Sequence, residues 1–521
     1  ISGSSFKNPP RSRGHSYRDS PSFHHRTLLG ADRKQGAIVG WTAIILGGFV
    51  VGSILYTTAP GNQPFYKDSK QRDWPESGRV GNLTAEQEEK LRELWIAALS
   101  VCGIYNPNGE NGTTATNGTG KAEGATSKKT KKKRLGVFGR KKGGDDADSV
   151  ESTVSNVLNS PGKADTDDKY GQTKEFYEAL ANITPETIRS TFWSMVKMDH
   201  PDALLLRFLR ARKWDVDKAL IMMVSTMRWR AYDAHVDDDI MKNGEALAVE
   251  QAAGNDSAKK KFGEDFLAQL RLGKSFLHGV DKENRPMCFV RVRLHRQGEQ
   301  SEESLERYTV FIIETARLTL APPVDTADYA PVKFMIKCFE ANYPESLGVV
   351  LVHKAPWIFQ GIWKIIKGWL DPVVASKVHF TNSQEDLEQY VPKSNIIKEL
   401  GGEEDWEYKY LEPVPGENSK MEDTETRDRL FAEKDAIVKE FEKATLSWIN
   451  GEDEDIGSVK TKRNELANRL RDNYWATDPY IRARSYYDRS GIIKPGGEIN
   501  WSSRSQHSTP MAAETSADDV D

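Results

Sequence analysis

Cysteine is scarce in this chain of 521 residues, which contains only Cys102, Cys288 and Cys338. The three lie far apart and form no Cys-x-x-Cys pair, which excludes a disulfide framework and a zinc site of the usual spacing. We therefore expect reduced, at least partly buried thiols, as is usual for cysteine in an intracellular protein.

The chain also lacks an excess of either charge. Its 73 Lys and Arg residues oppose 77 Asp and Glu residues, for a net charge of −4. This balance excludes a protein that binds nucleic acid through its overall charge, and a mean hydropathy of −0.63 excludes one with many membrane spans. Aromatic residues, in contrast, are plentiful, with 13 Trp, 17 Tyr and 19 Phe. Disordered chains are poor in aromatic residues, so we expect at least one folded core.

Enzyme signatures are lacking as well. Gly273-Lys274-Ser275 resembles the end of a P-loop, but Ala268 stands where that motif requires its first glycine. The sequence contains neither a Gly-x-Ser-x-Gly elbow nor a His-Glu-x-x-His motif. We therefore predict a protein that is not an enzyme and that holds neither a metal nor a cofactor.

A charge-free run, Ala37–Tyr56, stands out near the N-terminus. A helix of about 20 residues would cross a hydrocarbon core of roughly 30 Å, so we predict one transmembrane helix over 36–58. A buried core helix and a retained signal peptide are the alternatives. The predicted protein is single-pass, with its folded part facing the cytosol. Residues 1–35 are basic and read as a disordered arm, but they also resemble a transit peptide, which makes a mitochondrial membrane the alternative location.

Several further segments flank the folded region. Thr84 and Gln87 form a capping-box pattern, so residues 59–103 are predicted to contain a linker and a short helix. Residues 104–170 form a low-complexity linker with a basic tract at 128–142. Attraction to anionic lipid, a nuclear signal and a merely solvated linker all remain open for that tract. The other segments are a C-terminal helical extension (413–490), with two charged amphipathic helices, and a disordered tail (491–521).

The folded region itself begins before Thr184, a residue type that favours a helix N-cap, with Pro185 suited to the first helical position. Residues 289–294 and 348–353 look like strands, and the second is short and apolar enough to be buried. These strands alternate with helical patterns, which indicates an α/β fold.

One predicted helix, Trp357–Leu370, is unusually apolar and aromatic. Its polar stripe is thin and includes Lys364 and Lys367. This pattern suits an interface with lipid, although an ordinary core helix can share it.

Five blocks in this region resemble the CRAL-TRIO lipid-binding family, and within it they are most similar to the yeast-type phosphatidylinositol transfer proteins of fungi. They occur in the family's order, and the resemblance covers about 184–412. The blocks are LLLRFLRARKWDVDKAL (204–220), DKENRPM (281–287), NYPESLGVVLVHKAPWIF (342–359), LDPVVASKV (370–378) and PKSNIIKELGG (392–402).

The resemblance implies an N-terminal helical module with an insert (171–275) and an α/β lipid-binding domain (276–412) that holds one phospholipid in an apolar pocket. Lys and Arg pair with a phosphate, and a carboxylate accepts hydrogen bonds from inositol hydroxyls. Arg212 and Lys213 also fit a second interpretation, as plain surface charges of a helix. The positions that match headgroup contacts of phosphoinositide-binding relatives are Arg212, Lys213, Glu345 and Lys377.

The resemblance further implies that the aromatic helix is a gate, which opens at a membrane to exchange lipid. The apolar side chains of such a gate can move from the pocket into the bilayer with little change in the apolar surface that is exposed to water. The predicted function is non-enzymatic binding and transfer of a phospholipid, preferably phosphatidylinositol, with a membrane and no nucleic acid as partner. The alternative is a membrane-anchored, lipid-sensing adaptor without transfer activity. The predicted gate residues are Trp357, Ile358, Phe359, Ile362, Trp363, Ile366 and Trp369.

The chain departs from the family pattern in three places. Val374 stands where such relatives often offer a hydroxyl, and Ser346 replaces a basic residue, which affects headgroup identity rather than lipid binding. Only residues 321–329 occupy the space of a family strand and loop; if this omission is genuine, the resemblance implies that a central strand is missing and that strand edges are exposed. A further alternative is that residues 1–80 come from an unrelated membrane protein joined by fusion.

Overall fold

The fold is that of a computed structural model. It has two apolar cores, one within a body of helices and one around a five-stranded sheet. The structure describes residues 53–57, 78–105, 168, 170–296, 298–319, 341–343, 348–357, 359–368, 370–451 and 456–502.

The elements follow one another with short connections in most of the described chain. The strands are β1 (Ser53–Thr57), β2 (Ser275–Val280), β3 (Pro286–Arg291), β4 (Val350–His353) and β5 (Val378–Thr381). The helices are α1 (Ala85–Val101), α2 (Gln172–Asn182), α3 (Pro185–Val196), α4 (Pro201–Ala211), α5 (Val216–Arg228), α6 (Lys242–Ala253), α7 (Ser257–Arg271), α8 (Glu302–Leu318), α9 (Phe359–Lys367), α10 (Pro372–Ser376), α11 (Gln384–Glu388), α12 (Thr424–Asn450), α13 (Ile456–Ile481) and α14 (Tyr486–Arg489). Two π-helical turns, Trp229–Asp233 and Val236–Met241, join α5 to α6.

Local capping explains where the first helices begin. The Thr84 hydroxyl accepts a hydrogen bond from the Gln87 amide (3.2 Å), and the Gln87 side chain accepts one from the Thr84 amide (3.0 Å). This is the predicted capping box of α1. Thr184 likewise caps α3, with Pro185 in the first turn, as predicted.

The C-terminal helices α12 and α13 complete the core of the helical body. Phe441 of α12 is fully buried, with its ring centroid 5.8 Å from those of both Trp95 and Trp193. Leu466 of α13 is equally buried in the same cluster. The two predicted C-terminal helices are therefore integral to this core.

Part of the predicted disordered tail is packed. Ile492 and Ile493 are buried in the core of the sheet region, and Gly497 lies against the Trp475 ring. A Cβ at Gly497 would lie 2.1 Å from that ring, so the tight contact requires glycine. The packed chain thus extends to Trp501, beyond the predicted boundary at 490.

The sheet has the strand order β2-β3-β1-β4-β5. Strand β4 pairs with β5 in parallel, whereas β1 is antiparallel to both of its neighbours. Helix α8 and the end of α7 cover the sheet with apolar side chains, including the fully buried Phe266 and Phe311. The predicted combination of a helical module with a mixed helix and sheet region is confirmed.

Strand β1 corrects the prediction of a transmembrane helix over 36–58. Leu55 lies opposite Phe289 on one side and opposite Leu351 on the other. A charge-free apolar run is also the pattern of a strand with neighbours on both edges, and periodicity alone does not separate the two. Among the helices that the structure describes, none is long and apolar enough to cross a bilayer. The predicted single-pass membrane localisation, with its mitochondrial alternative, is therefore wrong.

The same strand changes the expectation of a missing central strand. Strand β1 lies between β3 and β4 and pairs with both of them. The facing edges of β3 and β4 are therefore not exposed. Residues 321–329, whose shortness motivated the expectation, lie outside the described residues, as do the arm 1–35 and the basic tract 128–142.

Two of the three cysteines confirm the prediction of buried, reduced thiols. Cys102 and Cys288 are both free and buried. Burial raises the pKa of the Cys102 thiol to about 12, and burial also raises the pKa of Cys288. Cys338 lies outside the described residues.

Candidate functional site

The predicted gate follows directly on β4. Lys354 turns the chain at the end of this strand with a left-handed backbone (φ 53°), and α9 then begins at Phe359. Between them, the Trp357 side chain is 84% exposed. The most exposed large aromatic side chain of the described chain therefore lies just before α9.

Helix α9, the predicted gate, rests on the edge of the sheet. The rings of Phe359 and Trp363 lie 6.0 Å and 5.6 Å, centroid to centroid, from that of Phe380 on β5. Ile366 is buried, whereas Lys364 and Lys367 are exposed. The helix thus has the apolar face and the lysine stripe that the sequence indicates. Ile358 and Trp369, and the side chain of Ile362, lie outside the described part.

Lys377 lies at the junction of α10 and β5. Asp371 caps α10 by accepting from the Val373 amide (2.7 Å), and Pro372 occupies its first turn. The Lys377 carbonyl accepts from the Val350 amide (2.9 Å), which fixes the backbone of Lys377 beside β4. Its side chain is half-buried.

Arg212 and Lys213 lie in a strained turn after α4. Lys213 and Trp214 both have left-handed backbones, with φ of 53° and 66°. The turn is held by the Trp214 ring, which packs on Gly78, and by Arg210, whose guanidinium donates to the Gly78 carbonyl (2.7 Å). Two consecutive left-handed residues other than glycine are costly, and such strain is typical of functional sites. Lys213 is exposed and Arg212 half-buried.

Arg212 is linked to the segment that leads to Glu345. Its Nη2 donates to Gln172 Oε1 (2.6 Å), and Gln172 Nε2 donates to the Ala341 carbonyl (2.9 Å). Thr226 Oγ1 donates to the same carbonyl (3.1 Å). Glu345 itself lies outside the described residues. The structure thus brings Arg212 close to the approach of the Glu345 segment and places Lys377 on a separate element.

Sequence reasoning missed a buried charge cluster behind this segment. Glu314 accepts from Lys197 Nζ (2.5 Å), Arg230 Nη1 (2.7 Å) and the Tyr343 hydroxyl (2.7 Å). Burial alone would raise the pKa of Glu314, but the surrounding cations, Arg230 foremost, hold it well below its usual value. No local spacing announces this cluster, because its members come from four separate parts of the chain.

The cluster anchors the segment that approaches Glu345. Arg230 also pairs with Asp237 (3.0 Å), so α8 and the π-helical turns are joined at the same place. Tyr343 is 3% exposed, and its hydroxyl reaches the cluster from the segment 341–343. Both ends of this short segment are therefore held by buried polar contacts, at Ala341 and at Tyr343.

This fold and these motifs define a member of a lipid-binding family. The CRAL/TRIO domain model matches residues 270–402, and the CRAL/TRIO N-terminal domain model matches 172–225. The chain belongs to the CRAL-TRIO family, as the motifs indicated.

The relatives that it resembles include two fungal proteins matched over most of their length. One is the CRAL-TRIO domain-containing protein C3H8.02 of Schizosaccharomyces pombe, which is 42% identical over 80% of this chain and 93% of that protein. Another is the phosphatidylinositol transfer protein CSR1 of Eremothecium gossypii, 38% identical over 80% of this chain and 98% of that protein. The CRAL-TRIO domain-containing protein YKL091C of Saccharomyces cerevisiae is 24% identical over 44% of this chain and 78% of that protein.

Proposed function

We propose that this chain binds one phospholipid, with a preference for phosphatidylinositol, and transfers it between membranes without catalysing a covalent reaction. The observation that supports this most is the 38% identity to a phosphatidylinositol transfer protein over 98% of that protein's length. The bound phospholipid is a ligand and not a cofactor. Its headgroup is held by Arg212, Lys213, Glu345 and Lys377.

Helix α9 is the gate of this proposed site. Its aromatic face packs on Phe380 when the gate is closed, and the exposed Trp357 is the first side chain to meet a bilayer. A large aromatic ring gains free energy when it leaves water for the interface, so the open gate is stabilised where lipid exchange takes place.

The test uses the purified full chain. Mass spectrometry of the lipids extracted from it identifies the ligand, and transfer of labelled phosphatidylinositol and phosphatidylcholine between vesicles measures activity and selectivity. We expect copurified glycerophospholipid and faster transfer of phosphatidylinositol. A folded chain that carries no lipid and transfers neither would contradict the proposal and favour the adaptor.

Lys377→Ala tests the headgroup assignment. A lost charge-assisted hydrogen bond to the phosphate is worth about 1.5–3 kcal/mol, so transfer of both phosphatidylinositol and phosphatidylcholine, which share this phosphate, should fall roughly tenfold or more. Lys409→Ala is the matched control, because Lys409 is an exposed lysine that pairs with the exposed Glu407. Unchanged transfer of both lipids by a folded Lys377→Ala variant would exclude a headgroup role for this lysine.

A further inference from the structure

The chain around α9 carries positive charge that nothing nearby in the sequence balances. Residues 346–370 contain neither Asp nor Glu, but they contain three lysines: Lys354, Lys364 and Lys367. The side chains of these lysines are exposed, and within the described part of the chain none of them forms an ion pair. Exposed lysines elsewhere do pair, as Lys393 does with Glu403 (3.0 Å). The charge at α9 is therefore left for a partner outside the described residues.

The lysines of α9 lie outside its contact with the sheet. Phe359 and Trp363 rest on the ring of Phe380, and Ile366 is buried on the same face of the helix. Lys364 and Lys367 are exposed, and because residues three apart are neighbours on a helix surface, their charges lie side by side. In the described conformation, α9 thus turns its apolar face inward and its charge outward.

An aromatic anchor stands beside these charges. Trp357 is 84% exposed and lies between Lys354 and the start of α9. An exposed ring next to lysines matches an anionic bilayer, where the ring enters the interface while the ammonium groups remain at the headgroups. The occupant must also follow α9 when this helix moves as a gate. A fluid layer of anionic headgroups adapts to such a movement, whereas a fixed set of carboxylates on an acidic protein does not.

We propose that Lys354, Lys364 and Lys367 select anionic membranes as the surface at which this chain exchanges lipid. The attraction acts over a Debye length of roughly 10 Å at about 0.1 M salt, so it precedes the short-range contact of Trp357 and draws the closed gate to the bilayer. This inference rests on the proposed function and adds the charge of the membrane to it. It concerns the lipids of the membrane surface and not the identity of the transported lipid.

The experiment measures transfer of labelled phosphatidylinositol by the full chain into acceptor vesicles of phosphatidylcholine, with and without phosphatidylserine. The variant carries Lys364→Gln and Lys367→Gln, which remove charge but keep polar side chains of moderate length. We expect the ratio of the two transfer rates to fall roughly tenfold to thirtyfold, at about fivefold per lysine, with transfer into the neutral vesicles retained. The basic tract at 128–142 is present in both chains, so the comparison isolates the two lysines of α9.

Two further variants are the controls. Lys259→Gln with Lys260→Gln removes the same net charge from two exposed positions on α7, and its ratio should equal that of the unaltered chain. Lys364→Arg with Lys367→Arg keeps the charge of α9 and should keep the ratio, because a bilayer surface attracts either cation. Thermal melting verifies that each variant is folded.

The outcomes separate this inference from the function on which it rests. An equal ratio in the unaltered chain and the glutamine variant overturns the inference, while transfer itself still supports the proposed function. An equal fall in the arginine variant, or in the α7 control, also overturns it, because the effect would then not depend on charge at α9. A chain that transfers no lipid overturns the proposed function, and flotation of the same variants with the same vesicles then tests the attraction of α9 by itself.

Discussion

Asp202 and Arg463 form a buried ion pair across 261 residues of sequence. Arg463 Nη2 lies 2.6 Å from Asp202 Oδ1, and Nη1 lies 3.0 Å from Oδ2. Trp95 Nε1 donates to the same carboxylate (2.7 Å). Burial opposes the charge on Asp202, but Arg463 outweighs it and lowers the pKa of this carboxyl. The Asp202 carboxylate on α4 therefore joins α13, through Arg463, to α1, through Trp95.

Arg463→Met should be strongly destabilising. The substitution leaves the Asp202 carboxylate buried without its cation, which typically costs about 3–5 kcal/mol. Urea unfolding followed by circular dichroism measures the change. Arg469→Met, on the same helix, removes an exposed pair with Glu440 and should cost less than about 1 kcal/mol. Similar losses in the two variants would mean that the buried pair has no special weight.

Phe441→Ala should lower the free energy of unfolding by about 3–5 kcal/mol, since it removes a fully buried ring from the centre of the helical core. Phe431→Ala provides the control on the same helix, because Phe431 is 43% exposed. Thermal and urea unfolding compare the two. If Phe441→Ala proved as mild as Phe431→Ala, α12 would not belong to the core of the module.

Acidification should destabilise the protein through His200. Its Nδ1 accepts from the Asp202 amide (3.0 Å), so the neutral ring carries its proton on Nε2, which faces Asn464 Oδ1 (3.1 Å). Burial lowers the pKa of His200, although Asp202 opposes this and Arg463 adds to it. The unfolded chain then binds the extra proton more readily, so stability falls as the pH drops from about 6.5 towards the lowered pKa.

His200→Ser checks this pH dependence. Serine can still cap α4 but does not titrate, so its free energy of unfolding should change less between about pH 7.5 and pH 5 than that of the unaltered chain. Urea midpoints at closely spaced pH values give both profiles. Parallel profiles would assign the acid sensitivity to other groups.

Trp357→Ala should slow transfer of every phospholipid without changing selectivity. The exposed ring contributes apolar area to the membrane-bound state but none to the headgroup site, and a buried aromatic side chain is worth about 1.5–3 kcal/mol. We expect transfer and vesicle binding to fall roughly tenfold or more. Tyr232→Ala, which removes a 50% exposed ring from a π-helical turn, should leave both unchanged. Selective loss of phosphatidylinositol transfer in Trp357→Ala would place this ring in the headgroup site instead.

Local patterns predicted much of this molecule. The capping box at Thr84, the cap at Thr184 and the apolar face of α9 all depend on neighbours within a few residues, so sequence alone contains the information. The family motifs added the order of the elements and the proposal that α9 is a gate.

What the sequence did not predict depends on distant partners. Strand β1 has the composition of a membrane helix, and only its pairing with residues more than 200 positions away makes it a strand. Gln172 and Ala341 lie 169 residues apart, and nothing in either neighbourhood indicates the contact. The same holds for the cluster around Glu314, since buried charges have no periodicity of their own.

The separation between Asp202 and Arg463 has a consequence for protein synthesis. At roughly 5–20 residues per second, the ribosome needs about 10–50 seconds to add the 261 residues between them. During that interval the early helices have been made, but their core still lacks Phe441, Leu466 and the cation for a buried carboxylate. The nascent chain would therefore expose an unfinished apolar surface until α13 has been synthesised, and surfaces of this kind are prone to aggregate.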